Sequence, residues 1–559
     1  MTHENLFLVL GPPGTGKTTK LTKWLTEQAS LYGGENVMAC SYTRAAAAEL
    51  AGRDLNIPKE NLGTLHALCY RHLDNPKLAV DHEAEFGKDF PQYKYSGTGS
   101  NDVDNPYEER QSETHGDRLR DRLEVLRARR RDSKLWPPEI VAFSKAWTTW
   151  KERNNLLDFT DLLEICLRDC EEAPGGPAVG LLDEGQDSPQ LQIDLALKWA
   201  ERMEKFIISG DDDQTIFGFA GADPALLLNL PVQHDKKMVL SQSHRLPRTV
   251  HALANNWIQP CSRREPKQYN PRDFEGEVLR GPSHYKYPEP ILKSVEKYLA
   301  DGKRVMFLAS CRDMLNPLKA VLRKRAIPFH NPYSKRGDWN PLRRGDAKHP
   351  AAVDRVLAFL PSIEEQDLDD AAFDPTASLP AWQWHDVYLW MDCLDPKGMF
   401  RYGTKEWLES KKENFSEFDA QELITMLETP VHDDLYALAF HDQEATQQAI
   451  TWWMMHWLPE WRKRLSYQAA VARRWGGSAL LKTPPVIIST VHACKGSESD
   501  VVVLYPDVSP AGMAAWSQPG EPKDSVRRIF YVGISRARET LILCPPASRY
   551  SVPISTRPD

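Results

Sequence analysis

Basic excess, paired cysteines and long apolar runs are what this 559-residue sequence has least of, and each shortage removes a class of protein. The 70 lysines and arginines are outnumbered by 78 acidic residues, which leaves a net charge of −8 and a pI near 6.1. The chain is no bulk polycation, so any nucleic-acid site has to be a local groove. Nine cysteines, an odd number without one C-x-x-C pair, argue against a disulfide framework and against a zinc ribbon. Reduced thiols in a cytosol are expected. Cys166 and Cys170, four apart on a predicted helix, read as two buried thiols rather than half a metal site. No apolar run reaches the roughly 18 residues of a membrane span, and Met1-Thr2-His3-Glu4-Asn5 has no basic leader character. A soluble, unexported protein without a membrane partner is expected. At roughly 150 residues per domain, the length accommodates about three or four domains.

What is present begins with Gly11-Pro12-Pro13-Gly14-Thr15-Gly16-Lys17-Thr18, which follows the apolar run Leu6 to Leu10 and leads into a helix-like stretch from Thr19 to Gln28. A strand, a glycine-rich turn and a helix start in that order make a phosphate cradle, because bare backbone N–H groups and the positive helix end converge on anionic oxygens. Lys17 would reach the terminal phosphates, and the Thr18 hydroxyl would hold Mg²⁺ arriving with ATP.

Val37 to Thr43 reads as a buried strand and Arg44 to Leu50 as a helix, while Gly63 to Cys69 is a second turn into a helix with His66 near its mouth. From about Pro76 to Lys134 the texture turns polar, which suggests an insertion. Within it, Leu119, Leu123 and Leu126 make Arg118 to Arg131 an amphipathic helix whose arginines are either a solvated face or a phosphate-contacting rim over DNA. The apolar strand Val179 to Leu182 then ends in Asp183 and Glu184. Behind a phosphate loop, such a pair reads as a magnesium-side carboxylate and a base that takes the proton from attacking water. Phe206 to Gly210 leads to Gln214, a γ-phosphate sensor by position, with Phe217 and Phe219 within five residues. Those rings are either core residues or base-stacking groups.

A second sheet-like region spans about Phe274 to Pro332 and resumes at Val486. Between them, 336 to 482 holds ten of the 17 tryptophans, an α-helical module whose rings suit a core of their own or, alternatively, a partner surface.

Six stretches standing in one order give the chain its resemblance to the UvrD/Rep-like superfamily 1 DNA helicases. They are Gly11 to Thr18; Cys40 to Ala46; Leu182 to Asp187; Gly210 to Ala222; Leu240 to Arg245; and Thr490 to Asp500 together with Arg527 to Ala537. The resemblance implies an α/β protein with two RecA-like parallel-sheet motor domains of the P-loop NTPase type, each with an inserted mainly α-helical subdomain. The expected segments are 1–75 with 135–255, and 256–335 with 483–559, for the two motors; 76–134 and 336–482 are the insertions. It further implies ATP with Mg²⁺ between the motors and single-stranded DNA across their top. On the matching positions, Gly11, Pro12, Pro13, Gly14, Thr15, Gly16, Lys17, Thr18 and Thr19 bind nucleotide. Thr18 and Asp183 hold the metal, Glu184 is the base, and Gln214 links the γ-phosphate to the DNA track. Arg245 and Arg536 act as paired arginine fingers, Glu498 contacts the ribose and His244 lies at the base. Tyr42, Thr43, His66, Phe217, Phe219 and His492 fall where the family meets DNA.

The sequence departs from the family pattern at its glutamine-containing adenine motif, which has no counterpart among the ten residues before Gly11, at His244, which stands where an aromatic is expected before Arg245, and at Ser497 and Ser499, which flank Glu498 in place of hydrophobic residues. Relaxed purine choice is therefore expected. The leading reading is an ATP-dependent 3′–5′ helicase acting on single-stranded and tailed duplex DNA alongside replication or repair proteins. The expected place is the cytoplasm, of a bacterium or of a phage's host. The alternative is a translocase that strips proteins from single strands without unwinding. A helicase–nuclease is disfavoured by the few residues after Arg536, and a scaffold with a dead motor by the complete phosphate-side set.

Overall fold

A computed structural model describes residues 4–42, 47, 52–53, 55–97, 114–334, 336–346, 348–360, 379–438 and 443–555. Thr43 and most of the expected helix Arg44 to Leu50 lie outside the described residues, as do 98–113 of the first insertion.

The first sheet contains β1 (Leu6–Leu10), β2 (Val37–Ser41), β3 (Leu62–Gly63), β4 (Val179–Asp183), β5 (Lys205–Gly210) and β6 (Lys237–Val239), in the order β3-β2-β4-β5-β1-β6. Its strands pair in parallel. Every residue of β2 and β4 is buried, as the continuous apolar runs require of strands covered on both faces. Alternate residues feed two cores. Leu6, Leu8, Leu182, Phe206 and Ile208 pack on one side, and Val37, Ala39, Val179, Leu181 and Ile207 on the other. This order sets the ends of β1 and β4 on either side of β5, and the Gly11 N–H donates to Gly210 O at 2.9 Å. The phosphate loop and the acid pair thereby share one crevice at the carboxyl ends of the strands, where open parallel sheets bind ligands.

The second sheet contains β7 (Glu277–Arg280), β8 (Val305–Ala309), β9 (Phe329–His330), β10 (Val486–Thr490), β11 (Ser499–Leu504) and β12 (Ala537–Leu543), in the order β7-β12-β11-β8-β10-β9. The chain divides into two compact units, one of residues Met1–Arg280, Ala309–Cys311 and Thr490–Asp559, the other of Gly281–Leu308 and Arg312–Ser489.

In the first unit a small aromatic core gathers Phe86, Phe143, Trp147 and Trp150, with Phe86 and Trp147 ring centroids 4.9 Å apart. The helix His115–Ala128 buries Leu119 and Leu123 on it. Its arginines are neither uniformly solvated nor uniformly available to phosphate. Arg120 is buried over the Trp147 ring at 4.6 Å and pairs with Glu124, while Arg127 reaches Asp158, Asp161 and Glu164 at 3.0, 2.7 and 2.6 Å. Burying a guanidinium is costly unless it is paired, and the acidic start of the helix Phe159–Asp169 supplies the partners.

The second unit encloses the tryptophan-rich core. Trp382, Trp384, Trp390, Trp452, Trp453 and Trp457 are all buried, and Phe359 stacks on Trp453 with centroids 4.7 Å apart. Core packing thus accounts for most of these rings, although Trp475 is 48% exposed. Of the expected thiol pair, Cys166 is buried but Cys170 only half-buried, because the helix ends at Asp169 and Cys170 caps it. Among the described residues no helix is long and apolar enough to cross a membrane.

Candidate nucleotide and nucleic-acid site

All the residues below belong to the first unit. Gly14 and Gly16 have φ of 73° and 71°, left-handed values that glycine adopts without strain, and a side chain at Gly14 would run into Arg245. The Thr15 hydroxyl donates to Pro12 O at 2.8 Å and tightens the turn. Gly16 then starts the helix Lys17–Tyr32, and no side chain caps it, so the first-turn N–H groups keep no side-chain acceptor of their own.

Lys17 extends from this turn to the acid pair, with Nζ 2.9 Å from Asp183 Oδ1 and in an ion pair with Glu184. Asp183 also accepts from Ser209 Oγ at 2.5 Å and from the Glu184 N–H at 2.9 Å. Glu184 stands in the left-handed region at φ 56°, a conformation that surroundings must enforce in a residue with a side chain. Burial works against the Lys17 ammonium, but Asp183 and Glu184 outweigh it and raise its pKa above the ordinary lysine range. Burial likewise pushes Glu184 up, yet Lys17, Lys495 and Gln186 bring it down to about 2.

Past β5, Gln214 Nε2 donates to Asp211 Oδ2 at 2.8 Å, and its Oε1 accepts from Arg536 Nη2 at 3.0 Å. Arg536 is 1% exposed and also donates to Val532 O, Ser497 O and Ser535 Oγ. Arg245 Nε donates to Glu498 Oε2 at 2.7 Å, and Arg538 takes the other oxygen. The His244 N–H donates to Gly14 O at 2.7 Å, so this exposed imidazole sits beside the phosphate loop. Lys17, Asp183, Glu184, Gln214, Arg245, Arg536, His244 and Glu498, dispersed in sequence, are therefore all tied into the loop or its neighbouring elements.

The aromatic residues form a second group. Phe217 lies 5.8 Å from Tyr42, 6.0 Å from Phe219 and 6.2 Å from His492, centroid to centroid. Tyr42 and Phe217 are buried, 6% and 3% exposed, whereas the Phe219 ring is 42% exposed and is the open face of the cluster. Burial and the nearby Lys495 push the His492 imidazole down to about 4, so it is neutral at pH 7. His66 instead meets Phe159 edge-on at 6.0 Å.

Sequence reasoning assigned no role to Lys495, Gln186 or Asp187. Lys495 Nζ pairs with Asp187, donates to Gln214 O at 2.7 Å, lies 3.7 Å from Glu184 Oε2, and faces the Phe217 ring at 5.4 Å. Gln186 Nε2 donates to Glu184 Oε2 at 2.6 Å. The available signal was adjacency, since both neighbours of the acid pair and the Lys495-Gly496 step lie inside stretches already singled out.

Among the described residues no group of three or more His, Cys, Asp or Glu side chains could hold a metal alone. Thr18 and Asp183 offer hard oxygen donors, too few for a protein-only cage but suited to a Mg²⁺ ion whose remaining ligands are phosphate and water.

A phosphate loop after β1, an acid pair after β4 and parallel sheets define a P-loop NTPase. Models of the UvrD/REP helicase N-terminal domain and of the UvrD-like helicase C-terminal domain match residues 1–235 and 472–545. Together they span more than half of the chain, which belongs to the UvrD/Rep-like superfamily 1 helicases. It is similar to the ATP-dependent DNA helicase PcrA of Staphylococcus epidermidis, 24% identical over 385 residues. It is similar also to that of Staphylococcus aureus, 23% identical over 389 residues. Each match covers 64% of this chain and 52% of the relative, so the chain spans about half the length of these curated relatives.

Proposed function

We propose that the protein is an ATP-dependent DNA helicase that translocates 3′ to 5′ on single-stranded DNA in the cytoplasm, with residues 1–75 plus 135–255 and 256–335 plus 483–559 as its motors. The observation that carries this reading is the loop after β5. Gln214 contacts Arg536 and, through its backbone oxygen, Lys495, while five residues on the same loop exposes the Phe219 ring. A loop that bears both a nucleotide-side amide and a stacking ring makes base contact depend on nucleotide state.

ATP lies with its triphosphate on Gly11 to Thr18. Mg²⁺, when bound at Thr18 and Asp183, neutralises phosphate charge. Lys17 leaves Asp183 and Glu184 for the phosphates, and Glu184, relieved of that ammonium, gains proton affinity. Water attacks the γ-phosphorus, its proton passes to Glu184, and the bond to the β-phosphate oxygen breaks. Gln214, Arg245 and Arg536 orient the γ-phosphoryl group, with Glu498 on the ribose and His244 over the base.

ATP hydrolysis with and without single-stranded DNA, alongside strand displacement on duplexes with a 3′ or a 5′ tail, tests this. DNA-stimulated hydrolysis with displacement of 3′-tailed duplex is expected. Displacement confined to 5′-tailed duplex overturns the polarity, and stimulated hydrolysis without displacement favours a protein-stripping translocase.

A further inference from the structure

We propose that Lys267 is a positioning residue for ATP hydrolysis, acting through Asp211 on the Gln214 amide. This rests on the ATPase reading above. Lys267 is buried beneath the loop after β5, its side chain 1% exposed, and it pairs with Asp211 and Asp213 at 3.0 Å each and with Asp212. The two oxygens of Asp211 are divided between tasks. Oδ1 takes Lys267, and Oδ2 takes Gln214 Nε2 at 2.8 Å.

A carboxylate only accepts and a guanidinium only donates, so the Gln214 amide standing between Asp211 and Arg536 has one workable orientation. Its NH₂ must face Asp211 and its oxygen Arg536, 3.0 Å away. A flipped amide would turn oxygen toward carboxylate and NH₂ toward guanidinium. Lys267 holds the Asp211 carboxylate in place through Oδ1, and so sets which face of Gln214 meets Arg536.

The segment carrying Lys267 also holds the other partner of that contact. Arg264 grips Asp213 with two bonds of 2.9 and 2.8 Å, and the Glu265 N–H donates to Asp212 Oδ2 at 2.9 Å. On its other side, Ser262 Oγ donates to Asp524 at 2.7 Å, Arg528 Nη2 donates to Arg263 O at 2.8 Å, and the Tyr269 and Tyr531 hydroxyls lie 3.3 Å apart. Asp524, Arg528 and Tyr531 stand on the helix Glu521–Ile534, which ends two residues before Arg536. Residues 262–269 thus strap the Gln214 loop to the arginine that Gln214 contacts. Replacing a buried ionic cluster by apolar side chains is often neutral or stabilising, so stability alone gives no reason for these charges.

The experiment measures kcat and KM for ATP with saturating single-stranded DNA in the full chain carrying Lys267→Met, Lys267→Arg or Asp211→Asn, each alone and with Gln214→Ala, per folded molecule. A wild type without stimulated hydrolysis sinks the ATPase reading, and this one with it, before any variant is compared. With an active wild type, Lys267→Met and Asp211→Asn are expected to lower kcat by about tenfold or more with KM within about threefold, and Lys267→Arg to recover most of it. Neither loss should deepen when Gln214 is already alanine. Losses that multiply in that background, or variants that only melt earlier while keeping kcat, overturn the proposal. If Lys267→Met does not fold, Asp211→Asn, which removes a charge from a crowded acidic cluster, decides alone.

Discussion

Lys17 Nζ lies 2.9 Å from Asp183 Oδ1 and pairs at the same time with Glu184, so one ammonium from the phosphate loop bridges both members of the acid pair. A triphosphate seated on the loop would have to compete with both carboxylates for that lysine.

Lys17→Ala is expected to weaken nucleotide binding and to take from Asp183 its ion-pair partner, leaving Glu184 with the more distant Lys495. Breaking a buried pair from one side costs roughly 3–5 kcal/mol, so a lower melting temperature should accompany the loss of affinity. Titration with a fluorescent ATP analogue reads the first effect. An unchanged affinity would remove Lys17 from the phosphate site.

Glu184→Gln should bind ATP and DNA nearly as well as the wild type while turning over about 10²–10⁴-fold more slowly, since the substitution removes the base and keeps the shape. Near-normal DNA-stimulated turnover in this variant would mean that another group takes the proton.

His492 gives a pH signature. Its imidazole is pushed down to about 4 by burial and by Lys495, against an ordinary 6.5, so the unfolded chain takes up this proton first. The associated stability is fully present above pH 6.5 and is lost as pH falls from 6.5 toward 4. Urea midpoints measured across that window should fall more steeply for the wild type than for His492→Gln, while contributions from other groups cancel in the difference. Parallel curves would contradict a neutral His492.

Phe219 and Phe217 should separate stacking from packing. Phe219→Ala is expected to cost about 1–3 kcal/mol of single-stranded DNA affinity with little change in stability. The buried Phe217→Ala should instead lower folding stability by about 3–5 kcal/mol. Fluorescence anisotropy and urea unfolding on both variants check this, and equal DNA affinity for Phe219→Ala and wild type would rule out the open ring as a base platform.

Trp453, fully buried against Phe359, tests the tryptophan-rich unit. Its replacement by alanine should destabilise that unit by about 3–5 kcal/mol and reduce the near-ultraviolet circular dichroism. A stable Trp453→Ala variant would show that the cluster does not depend on this ring.

Much of the nucleotide side was legible in the chain, because its information is local. A glycine where φ must be positive, a lysine one residue on and a strand ahead are set by spacing along the backbone, and so are the Asp183-Glu184 step after an apolar run and the tryptophan-dense segment with its helical periodicity. The pairing of the segments into two motors and the roles of Arg245, Arg536, Glu498 and the DNA-side residues were legible only as expectations carried by resemblance.

What sequence alone determined, then, is the inventory: the glycine-rich cradle, the acid pair and the amide-and-phenylalanine loop after β5, each legible from residue type and short-range order, while the arginines were singled out by resemblance. Tertiary structure decided the pairings. Arg245 meets Glu498 across 253 residues, Lys495 meets Asp187 across 308, and Arg536 meets Gln214 across 322. It decided that Arg127 serves an internal ion pair, and that of two phenylalanines two residues apart Phe217 is buried and Phe219 open. The physical reason is that burial and ion pairing depend on which distant surface arrives. No spacing along the chain encodes that, whereas backbone conformation at a glycine turn is set by the residue itself and its immediate neighbours.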